Sequence, residues 1–106
     1  METSVIQIVQ EYKAALEAIL REELLDVRLY GSQARGKAGE GSDIDVLCIM
    51  KNPFDYGSLI NRTSETTATI SLKHNVILSR VFVTKADYET RQLPFFMNIR
   101  RESVAV

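Results

Sequence analysis

A single cysteine, Cys48, excludes an internal disulfide, and its apolar neighbours give it the look of a buried, inert thiol. One histidine, His74, has no second His or Cys at ligand spacing, so a zinc site is not expected. Charge of one sign is also missing: 13 basic and 14 acidic residues give a formal net charge of −1. A broad basic surface for nucleic acid is thereby excluded, and no direct nucleic-acid binding is expected. No apolar run reaches the roughly 18 residues of a membrane span. The opening Met1-Glu2-Thr3-Ser4 lacks the charged and apolar regions of a signal peptide. Repeats, low-complexity tracts and linkers are absent. The expectation is one cytoplasmic domain over residues 1–106, in a reducing compartment and with no membrane contact.

What is present is periodicity. Val5, Ile8, Val9, Tyr12, Leu16, Ile19 and Leu20 recur at helical spacing, and Ser4 with Gln7 forms a capping-box start, so residues 4–23 read as an amphipathic helix. Leu25–Tyr30 alternates and reads as a strand ending at Gly31. Ser32–Gly36 reads as a turn into a short helix, and Lys37–Ser42 as a loop. Asp43–Met50 is a second strand whose Val46–Met50 run implies burial on both faces, and Asn52-Pro53 ends it. Residues 55–72 read as a weakly patterned helix rich in Thr and Ser. Asn75–Val83 reads as a third strand, 84–91 as a short polar helix capped by Thr84, and Pro94 to about Arg101 as a last helix. The expected fold is α/β, a small twisted mixed sheet covered by helices. Phe95 and Phe96 beside Pro94 fit either the core or a partner surface.

The chemistry concentrates between Gly31 and Val46. Gly31-Ser32 is followed by ten residues and then Asp43-Ile44-Asp45. A glycine turn at a helix start lets backbone N–H groups approach phosphate oxygens, and the Ser32 hydroxyl adds a donor. Arg35 and Lys37 are candidates for neutralising phosphate charge. Asp43 and Asp45 lie two apart, so a strand points both carboxylates to one face and turns Ile44 to the core. Paired carboxylates are how Mg²⁺ is held beside substrate phosphates, and two ions could bind. Taken singly, a Gly-Ser pair is usually a turn and an Asp-x-Asp usually a solvated strand start. Their order along the chain, with a buried strand following, is the specific signal.

These residues resemble the minimal nucleotidyltransferases of the DNA-polymerase-β-like superfamily, whose signature is Gly-Ser, ten residues, Asp-x-Asp. Ala34-Arg35-Gly36, Ser42–Val46 and the stretch from Pro94 to Glu102 extend the likeness over nearly the whole chain. The resemblance implies a nucleotidyltransferase fold, with Gly31, Ser32 and Arg35 on the phosphates of ATP and Asp43 and Asp45 as catalytic metal ligands for Mg²⁺. It further implies a partner, a HEPN-domain ribonuclease toxin that such a protein silences by transferring AMP to a tyrosine. The family carries a third carboxylate on the next core strand, and alignment puts Asn75 there. Asn has no negative charge and is a poor base. Two readings therefore stand side by side: an adenylyltransferase antitoxin working with two carboxylates, and an antitoxin that acts by occlusion alone. Transfer to a small molecule or RNA is a third, disfavoured by the absence of a second substrate domain.

Overall fold

The computed structural model describes residues 4–31 and 43–106. Its first helix, α1 (Val5–Leu20), starts at the expected cap. The Ser4 hydroxyl accepts from the Gln7 N–H at 3.2 Å, and the Gln7 side chain accepts from the Ser4 N–H at 3.0 Å. Two helix-end donors are thus satisfied reciprocally. The helix stops at Leu20, short of the expected residue 23. Arg21 takes a φ of 51°, and a single 3₁₀ turn over Arg21–Glu23 leads into β1 (Leu24–Tyr30).

β1 pairs antiparallel with β2 (Asp43–Met50), whose bounds are those read from the sequence. Helix α2 (Tyr56–His74) then crosses to β3 (Ile77–Thr84), which runs parallel to β2. Helices α3 (Lys85–Thr90) and α4 (Pro94–Glu102) follow. A two-residue strand, β4 (Val104–Ala105), which the sequence did not reveal, returns antiparallel to β1. The sheet order is β3-β2-β1-β4, the mixed α/β arrangement expected. The short helix anticipated after Ser32 lies outside the described residues.

Alternation along β2 builds two layers. Ile44, Val46, Cys48 and Met50 are buried with Val5, Ile8, Tyr12 and Leu16 of α1 and Leu59 and Ile70 of α2. Leu47 and Ile49 face the other way, against Val83 of β3 and Ile99 of α4. The continuous apolar run Val46–Met50 is therefore buried on both sides of the sheet, as its composition implied. Burial pushes the Cys48 thiol up to about 12, which keeps it protonated and unreactive.

The weak pattern of α2 has a physical cause. Its buried face uses threonine as well as aliphatic side chains. Thr67 donates to the Thr63 carbonyl at 2.7 Å and meets the buried Tyr12 hydroxyl at 2.6 Å. Thr63 donates to the Leu59 carbonyl at 2.8 Å and accepts from Arg80 Nε at 2.8 Å. Hydroxyls that bond back to the preceding turn satisfy themselves and can be buried at little cost. A hydropathy pattern scores them as polar and misses the stripe.

One expectation is corrected. Asn75 is not on the third strand, which begins at Ile77; it caps α2 in the left-handed region, with φ 51° and ψ 49°, and its N–H returns to the Leu72 carbonyl at 3.3 Å. Asn tolerates this conformation better than other residues with a Cβ, so Asn75 serves as a helix stop. His74, on the last turn of α2, reaches Glu11 of α1 at 2.9 Å. Asn75→Gly should therefore change stability by less than about 0.5 kcal/mol, whereas Asn75→Val should cost about 1–2 kcal/mol, both read by urea denaturation.

Candidate active site

Asp43 and Asp45 open β2 on the face that also carries Leu47 and Ile49. Further along that face α3 and α4 cover the sheet; at its start Asp43 is exposed and Asp45 half-buried. Antiparallel pairing puts Tyr30 of β1 beside Asp45, and parallel pairing puts Ser79 of β3 on its other side. Gly31, directly after Tyr30, has a φ of +76°. A Cβ on Gly31 would overlap the Asp45 carboxylate. Glycine is thus required twice at one position, for the backbone angle and for the close approach.

Burial raises the Asp45 pKa above the usual carboxylate range, and the neighbouring Asp43 charge raises it further. Tyr30 is also raised, mainly by burial and then by the Asp45 charge. Two carboxylates on one face of a strand are hard oxygen donors suited to a divalent cation, which would offset what raises Asp45. Mg²⁺ fits this donor set because it keeps several waters and needs few carboxylates beside substrate phosphates. Among the described residues no group of three His, Cys, Asp or Glu side chains could hold a metal ion.

The register settles which β3 residues border the pair. Ile77 lies beside Asp43 and Ser79 beside Asp45, so β3 brings no carboxylate to them. Asp87 lies in the first turn of α3, with its carboxylate 3.8 Å from Arg91. Ser32, Arg35 and Lys37 lie outside the described residues. The structure thus brings Gly31, Asp43 and Asp45 together and leaves Asn75 at a helix end.

Two residues near the pair were not singled out for the site from sequence. Tyr30 precedes the glycine turn and pairs with Asp45. Phe95, on the first turn of α4, packs edge-on against Tyr30 with ring centroids 6.0 Å apart. Alternation along β1 carried a signal for Tyr30, since it puts Leu29 in the core and Tyr30 on the opposite face. Nothing local marked Phe95.

Comparison with known proteins gives three findings. A family model described as "Nucleotidyltransferase domain" matches residues 9–101. A protein of Methanocaldococcus jannaschii named "Putative protein adenylyltransferase" is 32% identical over 83 residues, which span 76% of this chain and 81% of that protein. The solved "Structure of putative minimal nucleotidyltransferase" superposes with a TM-score of 0.62 at 19% identity, covering 98% of this chain and 97% of its own. That last likeness concerns the fold.

Two outcomes follow from the geometry. Gly31→Ala should lower stability by about 1–2 kcal/mol in urea, since it adds left-handed strain, with the overlap on Asp45 in addition. Asp45 gives the second. A native carboxyl with a raised pKa keeps its proton to higher pH than the unfolded chain does. Its support for folding is complete below the unfolded value of about 3.9 and is lost as pH rises through the native value. Asp45→Asn should therefore melt at a higher temperature than the wild type at pH 7 in metal-free buffer. The gap should close as pH falls through the carboxylate range, as read by thermal scans across pH.

Proposed function

The chain belongs to the nucleotidyltransferase domain family, and from that membership we propose a Mg²⁺-dependent protein adenylyltransferase that moves AMP from ATP to a tyrosine of a HEPN-domain toxin and so neutralises it. The observation that carries this reading is the Asp43–Asp45 pair beside the Gly31 turn, at the start of β2. The name of the Methanocaldococcus relative supports a protein as acceptor. The toxin partner rests on the resemblance drawn from the sequence.

In this reading Asp43 and Asp45 hold the cation, which when bound offsets phosphate charge and acts as a Lewis acid on the reacting phosphate. Gly31 leaves room for the triphosphate to approach the strand end, and Ser32 and Arg35 contact its oxygens. The phenolic oxygen of the acceptor bonds to the α-phosphorus, the bond from that phosphorus to the bridging oxygen breaks, and pyrophosphate leaves. The phenolic proton passes to water. A free tyrosine has a pKa of about 10, so the site must favour its ionised form, and no β3 carboxylate assists. Positioning and charge compensation carry most of such a transfer.

A second reading is favoured by Ile77 and Ser79 in the β3 positions beside the pair. With no carboxylate there, the protein would silence its partner by occlusion. The two readings part in one experiment. The toxin is incubated with this protein, ATP and Mg²⁺ and examined by intact-mass spectrometry. AMP-sized mass steps are expected, and Asp43→Asn should reduce them at least about a hundredfold. An unmodified toxin that is still silenced by both wild type and variant would overturn the enzymatic reading in favour of occlusion.

A further inference from the structure

The start of α4 presents an unusual surface. Leu93, Phe95 and Met97 are 53%, 39% and 49% exposed, and Phe95 borders Tyr30, the strand partner of Asp45. Positions two apart on a helix face opposite ways, so Phe95 stands apart from Leu93 and Met97, on the side that carries the buried Ile99. The helix is also held firmly. Arg28 of β1 binds the Ser103 hydroxyl at 2.7 Å and the Ser103 carbonyl at 3.1 Å, beyond the end of α4. Arg100 donates to the Tyr88 carbonyl at 2.8 Å, which ties α4 to α3. Phe95 packs edge-on against both Tyr30 and Phe96, with interplanar angles of 85° and 81°. Its ring is therefore fixed in orientation before any ligand arrives.

We propose that Phe95, beside Tyr30, is the platform on which the aromatic base of the nucleoside triphosphate stacks. The proposal rests on the nucleotidyltransferase reading above. The size of the patch favours a small flat ligand over a protein. A whole aromatic side chain offers about 150–250 Å². A Phe95 side chain that is 39% exposed gives on the order of 80 Å², against about 800 Å² per partner in a stable protein interface. Continuity with the carboxylates favours a nucleotide over an unrelated small molecule. Tyr30 borders both places, so one residue separates Phe95 from the strand position of Asp45. Stacking needs only a π-face and makes no demand on the edge of one particular base.

Calorimetry in Mg²⁺ tests this with two probes. One is an ATP analogue with a methylene bridge between the α- and β-phosphates; the other is inorganic tripolyphosphate, which has no base. Phe95→Ala should weaken the analogue by about tenfold or more and leave tripolyphosphate within about twofold. Phe95→Trp, which keeps a π-face, should bind the analogue within about twofold of wild type, and it serves if the alanine variant fails to fold. Equal binding of the analogue by Phe95→Ala and wild type would overturn the platform, as would equal weakening of both probes. A tryptophan variant that loses the analogue as the alanine variant does would also overturn it. Wild-type protein that binds neither probe would instead overturn the nucleotidyltransferase reading on which the platform depends.

Discussion

Burial of β2 on both sides is the constraint from which the site follows. Val46, Leu47, Cys48, Ile49 and Met50 leave the strand no freedom to slide. A slip of one residue would turn Leu47 and Ile49 into the α1–α2 layer and drive Asp43 and Asp45 into the core. The apolar half of the strand therefore aims its polar half. The carboxylates need no side-chain tether, because alternation carries the placement of Leu47 and Ile49 forward to Asp45 and Asp43.

The edges of the sheet are handled by the same economy. Among the described residues β3 is a terminal strand of the sheet. Its Leu78 N–H donates to the Ser71 hydroxyl at 3.3 Å and its Phe82 N–H to the Tyr56 hydroxyl at 3.4 Å, both from α2. A polar helix so placed occupies groups that would otherwise invite pairing with another chain. At the opposite edge β4 is only two residues long, and Arg28 secures the chain beside it through Ser103. The polar content of α2 is thus structural: Ser71 and Tyr56 cover an edge, while Thr63 and Thr67 join Tyr12 and Arg80 in a buried hydrogen-bonded chain.

Much of this was legible in the sequence, because period two and period 3.6 are strong signals wherever one face is apolar. The bounds of β2, the capping box of α1 and the Thr84 cap of α3 are as read. What was hidden depended on conformation that composition does not encode. Asn75 stands next to Val76 and Ile77, and a β-branched run absorbs an adjacent Asn into a strand unless its αL geometry is known. The short β4 has no pattern of its own and exists through contacts with β1. Phe95 reads as core or surface until the packing of α4 against Tyr30 shows that it is both, seated on one side and open on the other.

The same economy leaves the site under tension. Asp45 is half-buried, carries a raised pKa, and lies against a glycine that no other residue could replace without strain. Each feature costs native stability, and neither contributes to the hydrophobic core. A fold does not keep such a group for packing, since a neutral side chain of similar size would sit there more comfortably. The tension is resolved if a cation joins the pair, because the charge that is unfavourable in the free protein becomes the source of affinity in the bound one. Stability given up at the start of β2 would then be recovered on binding.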